Sequence, residues 1–325
     1  MAKSAVLEYI GEDLKKVSAM MKSSLQSDIE LLNNANDSIL SNGGKMLRPM
    51  ITVLSALACG GTSNEDTVSY ASAVELLHNA TLLHDDVVDD SSLRGGKPTI
   101  LSLMGAGPSV LLGDYWLVKA VDLVLGRNHA MEVTRLFSKT LSDLASGEML
   151  QMQCATDCDT TLDDYCRIIY SKTATLFETA GMVGAISVDA PSDQKEIIRE
   201  FSYNLGMAFQ IKDDILDYDG GENLGKPAGQ DLKEQKVTLP LLGAFVSVDK
   251  TEEALIRKKL SHAADNPSAV GEILSFVKSS GGIRWAEERL SEWVNKAISA
   301  LMKLPESRSR DILEDLTYYV SERKH

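Results

Sequence analysis

Two short runs of aspartate carry the strongest chemical signal in this 325-residue chain. The first lies in Leu82-Leu83-His84-Asp85-Asp86-Val87-Val88-Asp89-Asp90, at the end of an otherwise apolar helical pattern. On an α-helix Asp85 and Asp89 sit one turn apart on one face, with Asp86 beside them. Three carboxylates so close repel one another and weaken the helix that carries them. Hard oxygen ligands at this density suit Mg²⁺. The second run, Phe209-Gln210-Ile211-Lys212-Asp213-Asp214-Ile215-Leu216-Asp217, repeats the i, i+1, i+4 spacing and places Gln210 on the same face one turn earlier. One such cluster is more often a solvated acidic helix end; two, each embedded in apolar helix, reverse that preference. Mg²⁺ binds through a few carboxylates plus substrate phosphates rather than in an all-protein cage. The pair therefore reads as two acidic walls facing one phosphorylated substrate.

Cations are placed to meet such a substrate. Gly43-Gly44-Lys45-Met46-Leu47-Arg48-Pro49 sets Lys45 and Arg48 three residues apart, opening a helix after a glycine turn whose N–H groups favour an anion. Alone this is an ordinary basic turn; beside a phosphate ligand it becomes an anion site. His78 lies seven residues before Asp85 and so shares its helix face two turns lower. Ser91-Ser92-Leu93-Arg94-Gly95-Gly96-Lys97-Pro98-Thr99 reads as a flexible basic loop, since its proline and glycines forbid a continuing helix. Ala145 to Gln151 holds the polar Glu148 among hydrophobes, and Ser171-Lys172-Thr173-Ala174 places one lysine in a neutral helix, where it would ordinarily snorkel to the surface. The glycine-rich stretch from Asp219 to Asp231 reads as a loop able to cover a site, and Lys233, Lys236 and Thr238 follow it.

The elements that hold these groups are helical throughout. Only 8 prolines interrupt long stretches rich in Ala, Leu, Glu and Lys, which predicts an all-α chain. Val6, Ile10, Leu14 and Val17 mark the apolar stripe of a first amphipathic helix, and Ile29, Leu32 and Ile39 that of a second, ended by Gly43-Gly44. Ser63-Asn64-Glu65-Asp66 caps a helix running to the first aspartates, and the charged C-terminal tail reads as exposed. A net charge of −14 argues against nucleic acid and anionic membrane surfaces as partners. Cys59, Cys154, Cys158 and Cys166 include no CxxC pair and have no nearby histidine, so reduced structural thiols are expected. The N-terminal residues become acidic too early for a signal peptide, and no apolar run reaches the length of a membrane span. A cytoplasmic protein without stable membrane insertion is expected.

With both clusters placed, the chain from about residue 40 onward resembles the trans-isoprenyl (polyprenyl) diphosphate synthases. The resemblance rests on Gly43-Gly44-Lys45, Arg48-Pro49, the two DDxxD runs, Gly147-Glu148, Lys172-Thr173, Phe209-Gln210 and Lys236-Val237-Thr238-Leu239-Pro240. It implies one all-α domain over residues 1–325, a helical bundle around a deep central cavity, and a homodimer. It implies Mg²⁺, three ions once substrate is bound, held by Asp85, Asp86, Asp89, Asp213, Asp214 and Asp217. Arg94, Lys172, Lys226 and Lys236 would grip an allylic diphosphate; Lys45, Arg48 and His78 would hold isopentenyl diphosphate. Gln210 and Thr173 would line the reacting centre, with Lys172 and Lys236 beside them. The implied reaction ionises the allylic diphosphate, adds isopentenyl diphosphate to the cation and releases a proton, which the freed diphosphate can accept.

Two positions depart from the family pattern. Gly95 stands where a second arginine is usual, and Met46 where a basic residue is usual, so isopentenyl diphosphate binding is expected to be weakened. A charge-assisted phosphate contact is worth about 1.5–3 kcal/mol. The growing tail should pass Leu77, Ala80 and Thr81 below the first aspartates, with Ala80 about 7.5 Å beneath Asp85. The small Ala80 and Thr81 predict an open shaft and a long, octaprenyl-like product, with geranylgeranyl or farnesyl diphosphate as the alternative. A class I terpene cyclase would carry a mixed Asn/Ser/Glu motif in place of the second DDxxD. A non-catalytic subunit of a heteromeric synthase would more often lack some of the six aspartates.

Overall fold

Apolar periodicity at helical spacing runs almost unbroken along the chain, and the structure, a computed structural model, follows it through the described residues, 2–41, 44–219 and 228–323. In order these form α1 (Ala2–Ser24), α2 (Glu30–Ser41), α3 (Leu47–Ala58), α4 (Glu65–Val88), strands β1 (Leu93–Arg94) and β2 (Lys97–Pro98), α5 (Ile100–Met104), α6 (Ala106–Leu125), α7 (Ala130–Asp157) and α8 (Leu162–Ile169). A π-helical turn (Tyr170–Ala174) leads into α9 (Thr175–Ile186), then α10 (Ser192–Asp219), α11 (Gln230–Lys233), α12 (Leu239–Phe245), α13 (Lys250–Leu260), α14 (Pro267–Ser279), α15 (Gly282–Leu301) and α16 (Arg308–Glu322). The two-residue strands form the only sheet among the described residues, so the all-α expectation holds.

The chain makes two compact units. One takes Met1–Ser138, Leu176–Arg199 and Leu301–Glu314; the other takes Lys139–Thr175, Glu200–Ala300 and Asp315–His325. The first aspartate run belongs to the former and the second to the latter.

In the first unit α4 packs against α1, α3 and α6. Its start is set by Asn64, whose side chain accepts from the Thr67 N–H while Thr67 returns a bond to the Asn64 backbone. Such a cap is worth about 1 kcal/mol. Burial of Val74, Leu76, Leu77 and Leu83 holds the rest, each side chain contributing roughly 1.5–3 kcal/mol. Buried hydroxyls are matched: Ser69 donates to the Leu123 carbonyl at 2.7 Å and Ser72 to that of Val68 at 2.7 Å. The α1 stripe of Val6, Ile10, Leu14 and Val17 is buried as its spacing predicts. Ile29 differs: it precedes α2 and is exposed, so that stripe begins at Leu32.

In the second unit Ile211, Ile215 and Tyr218 of α10 enter a core with Leu232, Leu241 and Ile273. That stripe turns Gln210, Asp213 and Asp217 toward the opposite side of α10. Both aspartate runs fall at the C-terminal end of a long helix, α4 or α10. There the backbone dipole is negative and disfavours carboxylates. No described helix is long and apolar enough to cross a membrane. The four cysteines are free, and burial pushes the Cys59 thiol up to about 12.

Candidate active site

The three aspartates at the end of α4 are not equivalent. Asp86 is buried, and its Oδ1 accepts from Nη2 and Nε of Arg94 at 2.8 and 2.9 Å. Asp85 is half-buried and Asp89 exposed; Asp89 caps the helix, its N–H donating to the Asp85 carbonyl at 2.8 Å. Arg94 reaches Asp86 because the stretch expected to be a flexible loop is a tight hairpin. Leu93 pairs with Pro98 and Arg94 with Lys97. Gly95 and Gly96 turn at φ +57° and +79°, the doubly left-handed geometry that favours glycine at both centres.

Around the expected isopentenyl diphosphate residues, α3 begins later than predicted. Met46 caps it in a left-handed conformation (φ 53°), so Lys45 lies outside the helix, exposed, while Arg48 sits in its first turn. The Arg48 guanidinium lies 5.0 Å from the centre of the Phe177 ring. His78 is held neutral: burial first, then the charges of Arg48 and Arg94, push its pKa well below the usual imidazole value. The charges of Arg48 and Arg94 both act on this imidazole. Buried Glu75, one turn from Asn79, lines a cavity of ≈ 530 Å³ with Met46, Gly44 and Lys22. Its Oε2 has no hydrogen-bond partner among the described residues, and burial raises its pKa against the pull of Arg48. Of the expected chain-length residues, Leu77 and Ala80 are fully buried, whereas Thr81 is partly open and donates to the His78 carbonyl at 2.8 Å.

In the second unit the Lys172-Thr173 pair sits in the π-helical turn, an irregularity often found at functional sites. Lys172 does not snorkel out; its Nζ lies 2.5 Å from Glu148 on α7. Gly147 permits this approach, because a Cβ there would stand 2.5 Å from the Ser171 Cβ. Thr173 donates to Gln210 Oε1 at 2.6 Å, Gln210 Nε2 donates to Asp214 Oδ1 at 2.8 Å, and Tyr165 donates to Asp214 Oδ2 at 2.6 Å. Asp214 is buried like Asp86, and burial pushes its pKa up to about 7. Asp217 accepts from the N–H groups of Gln230 and Asp231, each at 3.1 Å. Asp213 Oδ1 is met at 2.7 Å by Nη2 of Arg323. A cavity of ≈ 200 Å³ is lined by Lys172, Gln210, Asp214, Asp231, Lys236 and Tyr165, among others. Lys236 pairs with Glu234 and its charge acts on Asp231, whose carboxyl burial holds well above the usual range.

Three of these groups escape a sequence reading. Tyr165 resembles any core aromatic, Asp231 any loop acid, and Arg323 belongs to the tail expected to be exposed. Its side chain is instead largely covered, donating to the Phe209 carbonyl at 3.0 Å with its guanidinium 4.0 Å from the Phe209 ring centre. Lys226 and Gly43 lie outside the described residues, as does most of the stretch read as a cover.

The residues present suit Mg²⁺. Among the described residues no three His, Cys, Asp or Glu side chains gather closely enough to hold an ion alone. A guanidinium on Asp213 and carboxylates crowded at negative helix ends both express a demand for positive charge.

The fold is that of the all-α isoprenoid synthases. The structure matches a polyprenyl synthase from Caulobacter crescentus CB15, complexed with calcium and isoprenyl diphosphate, with a TM-score of 0.92 at 33% identity, covering 99% of this chain and 98% of that one. A decaprenyl diphosphate synthase from Rhodobacter capsulatus matches with a TM-score of 0.92 at 34% identity over 99% of each chain. Octaprenyl diphosphate synthase from Escherichia coli (strain K12) is 37% identical over 97% of both chains, and the polyprenyl synthetase family model matches residues 29–277. The chain belongs to the polyprenyl synthetase family, the trans-polyprenyl diphosphate synthases.

Proposed function

We propose that this enzyme condenses isopentenyl diphosphate with an allylic diphosphate to make an all-trans polyprenyl diphosphate longer than geranylgeranyl, of about octaprenyl length. One observation carries the reading: two DDxxD runs end two long helices, where crowded carboxylates at the negative helix pole suit a divalent cation and its diphosphate. Relatives that make octaprenyl and all-trans-nonaprenyl diphosphate, 37% and 36% identical, support the product length. The solved relative bearing calcium and isoprenyl diphosphate supports a hard divalent ion beside this class of substrate.

Asp85, Asp89, Asp213 and Asp217 would hold the metal, three Mg²⁺ ions with substrate bound. Asp86 steadies the α4 end through Arg94, and Asp214 is held by Tyr165 and Gln210. When bound, Mg²⁺ neutralises the charge that develops on the leaving diphosphate. Lys172, Lys236 and Lys226 add positive charge to the same group. The allylic C–O bond breaks with its electron pair leaving on diphosphate; the isopentenyl double bond attacks the cation, and the freed diphosphate takes the proton. Lys45, Arg48 and neutral His78 orient the second diphosphate.

A second copy of the chain is the proposed partner. Leu111, Val118 and Leu125 lie seven residues apart on one face of α6 and are 69%, 59% and 60% exposed, a stripe a soluble protein ordinarily covers. A distinct subunit is the competing occupant, since heptaprenyl diphosphate synthase component 2 from Geobacillus stearothermophilus is 33% identical over 99% of each chain. The proposed location is the cytoplasm.

The test is product analysis with the purified protein alone, Mg²⁺, labelled isopentenyl diphosphate and, separately, dimethylallyl, geranyl, farnesyl and geranylgeranyl diphosphates. A ladder extending past geranylgeranyl from a protein that light scattering shows to be a dimer supports the reading. A stop at farnesyl or geranylgeranyl overturns the product length. A folded, monomeric protein that makes nothing from any primer favours the subunit of a heteromeric enzyme.

A further inference from the structure

The sequence pattern treats each aspartate run as three metal ligands, yet Asp214 is turned away into protein. It is 4% exposed, and each of its oxygens accepts a short hydrogen bond, one from the Tyr165 hydroxyl and one from the Gln210 amide. Tyr165, on α8, is itself 2% exposed and spends its hydroxyl on this contact. The donor and acceptor inventory of these side chains then forces the polarity from Gln210 to Thr173. With Asp214 ionised, Oδ1 can only accept, so Gln210 presents its NH₂ there and its carbonyl oxygen toward Thr173. Thr173 must then donate its single hydroxyl hydrogen to Gln210, at 2.6 Å. What remains on Thr173 is oxygen lone pairs, the part of a hydroxyl that can face positive charge.

We infer that Tyr165 and Asp214 are positioning residues for prenyl transfer: they orient the Gln210 amide so that Thr173 offers oxygen lone pairs to the allylic cation. The inference rests on the proposed reading that Gln210 and Thr173 line the reacting centre. Tyr165 acts through Asp214, and Asp214 acts through Gln210. With the tyrosine hydroxyl absent, the carboxylate is free to rotate and the amide to flip, and Thr173 then turns its hydrogen toward the cation. Binding of either diphosphate, and of Mg²⁺, does not pass through this chain of contacts. The loss therefore falls on the chemical step.

The test is a double-mutant cycle on the full-length enzyme, with Tyr165→Phe, Gln210→Leu and the pair, each checked for a cooperative melt. Tyr165→Phe is expected to lower kcat about tenfold or more, a modest cost for a misplaced reacting group. The KM of each diphosphate and the Mg²⁺ concentration for half-activity are expected to stay within about twofold. In the Gln210→Leu background the same change is expected to cost less than about twofold, because residues acting as a unit are not additive. Additive effects, or unchanged kcat in folded Tyr165→Phe, overturn the inference while leaving the proposed function standing. If Tyr165→Phe does not fold, Asp214→Asn replaces it in the cycle, and a raised Mg²⁺ requirement in that variant returns Asp214 to the metal site and overturns the inference. A wild-type protein without prenyl transfer activity removes the proposed function and this inference together.

Discussion

Gly95→Arg tests whether the missing second arginine weakens the isopentenyl diphosphate site. The structure separates its two energetic effects. Among the described residues nothing lies within 4 Å of the position a Cβ would take at Gly95, so the side chain enters open space. The backbone there is at φ +57°, and a side chain in the left-handed region costs about 1–2 kcal/mol. That strain is present with and without substrate as long as the hairpin keeps its turn, so it lowers melting temperature and leaves KM untouched. The gain appears only when diphosphate binds. Arg94 is already committed to Asp86 at 2.8 Å, so the new guanidinium adds a contact instead of repeating one. One charge-assisted contact of about 1.5–3 kcal/mol lowers KM by roughly tenfold to 150-fold. The assay varies isopentenyl diphosphate at saturating allylic primer. KM is expected to fall by about tenfold or more, with kcat and the allylic KM held within about twofold. Gly96→Arg, with the same added charge and also at positive φ (+79°) in open space, is the control. An unchanged KM in a folded Gly95→Arg protein, or an equal fall in Gly96→Arg, refutes the reasoning.

Five further variants probe other parts of the molecule. Gly147→Ala forces a Cβ to within 2.5 Å of Ser171; overpacking of this kind costs about 1–3 kcal/mol, and kcat should fall as Lys172 is displaced, measured by melting and steady-state rates. Met46→Arg offers a counter-charge to the partnerless Oε2 of Glu75 across their shared cavity. It should raise stability by about 1–3 kcal/mol, and a lower denaturation midpoint would contradict it. Thr81→Phe should shorten the product on chromatography without unfolding the protein, whereas Ala80→Phe, at a fully buried position, should shorten it at a cost of about 1–3 kcal/mol in stability. The metal-free protein should lose stability relative to Asp214→Asn as pH rises toward about 7. Folded Asp214 titrates at about 7 against 3.8 for the free group, so across that window the folded state holds the extra proton and its advantage disappears as pH climbs. Parallel urea curves for the two proteins at about pH 5 and pH 7.5 decide it.

The helices were legible because their signals are periodic and long. Asn64 with Glu65 and Asp66 marks the start of α4 by composition, and the Val6–Val17 stripe marks α1 by spacing. The hairpin was not legible, since Gly95-Gly96 between Arg94 and Lys97 reads equally as a turn and as slack chain. Only the left-handed angles at both glycines separate the two. The π-helical turn has no compositional signature at all. It is a change of hydrogen-bond register within helix, visible in sequence only as the requirement for Gly147 opposite Ser171. Arg323 was hidden by a sound rule, that charged chain ends are solvated, which fails here because Asp213 and the Phe209 ring give the guanidinium both charge and face.

The same spacing that revealed the aspartate runs concealed how they divide their work. Read as a helix face, i, i+1, i+4 yields three neighbouring carboxylates of equal standing. In both runs the i and i+4 members keep more open surface, while the i+1 member is rotated inward and buried, Asp86 under Arg94 and Asp214 under Tyr165 and Gln210. A buried carboxylate without such donors would be costly, so each inward aspartate requires a partner elsewhere in its own unit. For Asp86 that partner, Arg94, then fixes the rotation of the α4 end. Rotation matters because a metal held jointly by protein and substrate tolerates little error in where its carboxylates point. On the proposed reading each run supplies two metal ligands and one inward carboxylate held by the protein. Substitutions at Asp86 or Arg94 should therefore resemble each other in their kinetic effects more closely than either resembles a substitution at Asp85.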